Sequence, residues 1–163
     1  MKDDLSNIAI NFADQAQAYC DAIDGMADLS LGEWLANVHV SLVGVYHAGL
    51  LLPDVTPISD DVESTEGYSL SLFESLRDYL GEHDVYRMVW DPLDLEDEAI
   101  LTHLSYDLSD VYRDLKEGLD LIGSGAHPAD GIWHWRESFR MHWGRHATDA
   151  IRVIHNLRFS KWL

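Results

Sequence analysis

"LSYDLSDVYRDLKEGLDL", residues 104–121, places Leu104, Leu108, Val111 and Leu115 three or four positions apart, and Leu101 extends the series upstream. That spacing follows the 3.6-residue turn of an α-helix and not the two-residue alternation of a strand. It predicts a helix from about 95 to 118, with Gly118 near its end. Asp94, Glu96, Asp97 and Glu98 would crowd its start, where the helix dipole favours negative charge. Asp107, Asp110 and Asp114 recur at i, i+3 and i+7 beside the leucine seam, and Tyr112 borders the seam's other side.

Working outward, four more stretches share the helical period. Residues 6–24 carry Ile8, Phe12, Ala16, Tyr19 and Ile23, with Ser6 as N-cap. Residues 30–52 open with Ser30 and Glu33 at capping-box spacing. Their main stripe is Trp34, Leu35, Val38, Leu42, Val45 and Gly49, with Val40, Val43 and Leu51 off it, the pattern of a central helix buried on most sides. Residues 68–81 present Leu70, Phe73, Leu76 and Leu80. Residues 129–159 form the last helix, with Pro128 near its first turn. "PDVTPISDDVESTEG", residues 53–67, has no periodicity and reads as a long, solvated acidic loop between the second and third helices. "HDVYRMVWDP", residues 83–92, reads as extended or as a single turn, too isolated for a sheet. The expectation is an all-α, single-domain bundle of about five helices over residues 1–163.

Composition narrows the function. A chain of 163 residues buries roughly 70% of its unfolded surface, so it needs no disulfide or structural metal to fold. The single cysteine, Cys20, sits in a helical pattern and reads as a small buried hydrophobe. The acidic "MKDDLSNIAI" start is unlike a signal peptide. Residues 34–53 lack Asp, Glu, Lys and Arg, but Asn37, His39, Ser41 and His47 interrupt them and no basic residue flanks them, so no membrane span is expected. A cytoplasmic location follows as the expectation. A net charge of −18 argues against nucleic acid and for a basic protein partner. Residues 129–163 nevertheless carry net +3 against −21 for residues 1–128, so the arginines of the last helix are expected to meet carboxylates within the fold.

The last helix holds "MHWGRHATDAIRVIH", residues 141–155. At about 100° per residue, Ile132, Trp135, Phe139, Trp143, Ala150, Val153, Ile154 and Leu157 share one face. His146 falls inside that face, His142 and Asp149 fall on its edge, and His134 points away. Packed against the aspartate stripe, these histidines have two readings. In one, the imidazoles are structural, hydrogen-bonded to Asp, Tyr or backbone, with Arg140 or Arg145 paired to the aspartates. In the other, His142 and His146 ligate a divalent metal together with aspartate oxygen. No HExxH or ExxH pair is present, and no nucleophile triad is complete. His39, Tyr46 and His47 are weaker candidates for the same core. Trp162 is a candidate to cover a partner surface or that of a homodimer.

"VYHAGLLLP", "DVYRMVWDP", "LSYDLSDVYRDLKEGLDL" and "HWGRHATDAIRVIH", in that order, resemble the bacterial family catalogued as domain of unknown function 5063. Its most specific parts are the run at 107–116 and His-Trp-Gly-x-His at 142–146. Where the family often has an acid, this chain has Tyr106. The resemblance implies a compact helical protein and marks Asp107, Asp110, Tyr112, Arg113, Asp114, His142 and His146 as motif positions. It brings no activity, substrate or cofactor. The expectation is therefore a small acidic protein acting as a non-catalytic accessory or interaction module, with no cofactor evident. The alternative is a metal-binding protein or metal-dependent enzyme built on the Asp–His cluster.

Overall fold

A computed structural model of the chain describes residues 2–59 and 69–160. Its helices are α1 (Lys2–Asp24), α2 (Leu31–Leu50), α3 (Ser69–Leu80), α4 (Leu104–Gly123), α5 (Pro128–Ser138) and α6 (Gly144–Phe159). A π turn, Phe139–Trp143, joins α5 to α6, so residues 128–159 run as one interrupted helix. The bundle is thus all-α in character, with five helical rods among the described residues. One hydrophobic cluster draws on α1, α2, α3, α4 and the α5–α6 rod.

α4, and not α2, is the central helix. It packs against α1, α3, α5 and α6. Its buried residues include the leucine seam and also Ser105, Asp107, Ser109, Asp110, Asp114 and Glu117. α2 buries the expected stripe but leaves Val40, Val43, Leu50 and Leu51 exposed. The capping box of α2 is formed: Glu33 N–H donates to Ser30 Oγ at 3.4 Å, and Ser30 N–H donates to Glu33 Oε2 at 3.2 Å. α1 starts at Lys2, so Ser6 lies inside it. Tyr19 ties α1 to α4, its hydroxyl donating to the Leu108 carbonyl at 2.9 Å. Cys20 is fully buried and its thiol is pushed up to about 12, chiefly by burial, so it stays a neutral apolar filler.

Around the start and end of α4, further sequence expectations need correction. Residues 95–103 are not helical. Val85–Met88 (β1) and Ile100–His103 (β2) form an antiparallel pair, Val85 opposite His103 and Met88 opposite Ile100. Leu101 fits the leucine spacing of α4 but is exposed in β2. The acids at 91–98 make turns, with Asp91 Oδ1 accepting from Leu93 N–H and Asp94 Oδ1 from Glu96 N–H, so they do not load a helix start. α4 is instead started from across the strand pair. Buried Asp84 accepts Leu104 N–H through its carbonyl and Ser105 N–H through Oδ1, and its Oδ2 meets His103 Nδ1 at 2.7 Å. α4 also runs past Gly118 to Gly123.

The acidic loop lies largely outside the described residues, as does Trp162. Its near end is anchored: Asp130, at the start of α5, accepts the Ile58 and Ser59 N–H groups and the Ser59 hydroxyl. No helix among the described residues is long and apolar enough to cross a membrane.

Candidate metal centre

α4 supplies three buried carboxylates to the groove it forms with the π turn and α6. Asp107, Asp110 and Asp114 share one edge of the helix because i, i+3 and i+7 lie nearly above one another. Opposite them, His142 lies in the π turn and His146 in the first turn of α6, with ring centroids 4.8 Å apart.

Each imidazole is oriented by its own aspartate. His142 Nδ1 lies 2.7 Å from Asp114 Oδ2, and His146 Nδ1 lies 2.8 Å from Asp107 Oδ1. A carboxylate only accepts, so each Nδ1 carries the proton and donates. The other nitrogens then converge. His142 Nε2 and His146 Nε2 stand 3.7 and 3.6 Å from the same atom, Asp110 Oδ2. Those separations exceed hydrogen-bond length. Asp110 Oδ2 is buried and has no hydrogen-bond partner among the described residues. The Tyr106 ring packs edge-on against His146, and its hydroxyl lies beside the Asp110 carboxylate, whose charge first, then burial and hydrogen bonding to that carboxylate, raise the phenol's pKa.

Charge in the groove is unbalanced. Arg113, on α4 itself, reaches Asp110 Oδ1 at 2.8 Å and Asp114 Oδ1 at 3.4 Å. Three carboxylates thus face one guanidinium. The Asp114 hydrogen bond raises the His142 pKa; burial opposes that shift, and the charges of Asp114 and Asp110 add to it. Tyr86 of β1 donates to Asp107 Oδ2 at 2.5 Å; burial first, then this bond and the Asp107 charge, push its phenol up.

Asp110, His142 and His146 form the one His/Cys/Asp/Glu trio among the described residues with ligand atoms mutually within 4.8 Å. The separations suit an ion. With metal–ligand bonds of about 2.1 Å, the edge of a tetrahedral site is roughly 3.4 Å, a few tenths short of the observed Nε2–Oδ2 distances. The aspartate on each Nδ1 is the outer-shell partner that metal-binding histidines ordinarily have.

The remaining sequence candidates divide. Asp107, Arg113 and Asp114 belong to the cluster as supports. Asp149 lies at its margin, its carboxyl pushed up by burial and by the Asp107 charge. Tyr112 faces away and donates to Asp24 Oδ2 on α1 at 3.3 Å. His134 approaches the Asp114 carbonyl and Glu117, outside the trio. His39 meets Arg158, Tyr46 packs on Phe139 and His47 is exposed, so none joins the cluster. The partner of the aspartates is Arg113, not Arg140 or Arg145: Arg140 pairs with Glu137, and Arg145 lies over the Trp90 ring at 3.3 Å. Tyr86 was not legible from spacing, since β1 meets α4 only through the tertiary fold.

Comparison with known proteins agrees with this architecture. The solved protein BF1032 from Bacteroides fragilis is similar over 93% of this chain and 92% of its own, with 25% identity and a TM-score of 0.75. No curated protein matches the chain. The family model described as domain of unknown function (DUF5063) matches residues 3–160, and with nearly the whole chain covered, the chain belongs to that family.

Proposed function

We propose that this protein binds one divalent transition-metal ion through His142 Nε2, His146 Nε2 and Asp110 Oδ2. The observation that carries the reading is the convergence of two pre-oriented imidazoles on a buried carboxylate oxygen that has no hydrogen-bond partner of regular geometry among the described residues. With both Nε2 atoms unprotonated, three acceptors face one another, an arrangement that a cation stabilises. Two imidazoles and one carboxylate are a donor set for zinc, iron or manganese. Three protein ligands leave coordination positions free for water or substrate, as catalytic rather than structural centres do. Arg113 holds Asp110 through Oδ1 and so leaves Oδ2 as the ligating oxygen.

The test is the metal content of untagged protein purified without chelator, repeated after soaking in each metal. The expected result is near-stoichiometric zinc, manganese or iron that disappears in His142→Ala and His146→Ala while the helical signal persists. Folded protein that takes up no metal even after soaking refutes the reading.

A second reading, an interaction module for a basic partner, draws on the net charge of −18 and on the exposed apolar stripe Val40, Val43, Leu50 and Leu51 of α2. The discriminating measurement is a pull-down at low and moderate salt with wild type and Val40→Glu. A partner lost with the α2 variant but kept by His146→Ala supports it. Recovery of nothing above background counts against it.

A further inference from the structure

A cavity of about 550 Å³ opens between α6 and the segment after β1, bounded by Arg87, Trp90, Arg145, Thr148, Asp149 and Arg152. That volume falls within the range of small-molecule sites, roughly 300–1,000 Å³. The chain has 29 acidic residues against 11 Lys and Arg, yet none of these three arginines forms a salt bridge with a carboxylate among the described residues. This corrects the expectation that the arginines of the last helix all meet carboxylates within the fold. Among the described residues Arg152 donates to the Arg87 carbonyl, at 3.4 Å. The Arg145 guanidinium carbon sits over the Trp90 ring, 3.3 Å from its centroid, and its Nη2 is buried with no acceptor among the described residues.

We propose that this cavity binds a small dianion, either a phosphate monoester or a dicarboxylate. Guanidinium forks match carboxylate and phosphate oxygens in pairs. In so acidic a protein, positive charge left unpaired around one cavity is available to an external anion. The contact with the Trp90 ring holds the Arg145 guanidinium in place before binding, so less side-chain freedom remains to be lost. The charge count sets the valence: three guanidiniums less the one carboxylate, Asp149, leave two positive charges. The inference uses none of the three proposed metal ligands and does not rest on them. Arg145 directly precedes His146, however, so a bound anion would sit beside the histidine–aspartate cluster.

The experiment is calorimetric titration of chelator-treated protein at low salt with inorganic phosphate and with succinate, chloride serving as control. Wild type is expected to bind at least one dianion saturably at one site. Arg145→Gln and Arg152→Gln should each weaken that binding about tenfold or more. Preference for phosphate assigns a phosphate monoester, and preference for succinate a dicarboxylate. Arg152 is exposed, so its variant decides the matter if Arg145→Gln does not fold. No saturable binding by wild type, or binding unchanged in the folded variants, overturns the proposal. Because the protein is metal-free throughout, neither result depends on the metal centre.

Discussion

Replacing Asp110 by Asn separates a metal ligand from a structural strut by the sign of the stability change. In metal-free protein at a pH high enough to leave both imidazoles neutral, above the ordinary range because the His142 pKa is raised, Asp110 Oδ2 is a buried oxygen with no hydrogen-bond partner among the described residues. Such a group costs about 1–3 kcal/mol. Asn keeps an acceptor for Arg113, now 2.8 Å from Oδ1, and turns an NH₂ toward the two Nε2 acceptors. The Arg113 bond loses its ionic part, about 1 kcal/mol, while the unsatisfied oxygen is removed. The net expectation is a change between about 0 and +2 kcal/mol. For a chain of this size that is roughly 0 to 8 °C in Tm, at about 2–4 °C per kcal/mol. With metal present the ranking reverses. Wild type gains about 2.7 kcal/mol at a metal concentration 100 times Kd, and the variant gains nothing. Chemical denaturation with and without chelator reads both differences. If metal-free Asp110→Asn is destabilised by more than about 2 kcal/mol, Asp110 holds two imidazolium ions and the metal reading fails.

Gly118→Ala should destabilise the fold by about 1–3 kcal/mol, read as a drop in Tm, because its Cβ would lie 2.0 Å from Trp135 Nε1, which donates to the Leu115 carbonyl. An unchanged Tm would show that Trp135 can move aside. Gly144→Ala places a Cβ 2.5 Å from the Phe139 carbonyl across the π turn, so metal uptake should fall together with stability; uptake at the wild-type level would separate the π turn from the site. At Asp130, burial raises the pKa, but the Ile58 and Ser59 donors outweigh it and the net shift is downward. A depressed folded pKa gives stability that is fully present above the unfolded value of about 3.9 and is lost as pH falls through the folded one. The advantage of wild type over Asp130→Asn in denaturant titrations should therefore be constant above about pH 5 and vanish below the folded pKa; an advantage independent of pH would refute the latch.

Much of the bundle was legible because its causes are local. The Ser30–Glu33 box, the α2 stripe and the leucine seam need only neighbours within a turn or two, and the structure holds them where the spacing put them. The aspartate stripe was legible on the same ground, since i, i+3 and i+7 relations on a regular helix depend only on its pitch, and the four-residue spacing marked the two histidines as a pair. Other features depend on distant partners. Ile100–His103 is a strand because Val85–Met88 lies alongside, and Leu101 alone reads as one more seam residue. Tyr86 reaches Asp107 from a separate element, and nothing in "DVYRM" announces that. The pairing of Arg113 with its own helix, and of Arg145 with Trp90, likewise depends on which side chain arrives first in three dimensions.

The π turn explains the one feature of the site that the helical wheel placed wrongly. On an uninterrupted helix His146 falls inside the apolar face shared by Trp135, Trp143, Ala150 and Ile154. A π turn holds one more residue than an α turn, and each residue of an α-helix advances about 100°, so the insertion turns everything after Trp143 back by most of that angle. Ala147, Ala150 and Ile154 then fill the core, and His146 moves to the edge beside Asp107. Gly144 admits the close Phe139 carbonyl that the wider turn requires. A π turn forgoes regular i→i+4 bonds. What it adds is the alignment of His142 and His146 along the aspartate stripe. A local departure from the best helix that orients two imidazoles toward one buried carboxylate oxygen is the kind of cost that folds retain for binding rather than for stability.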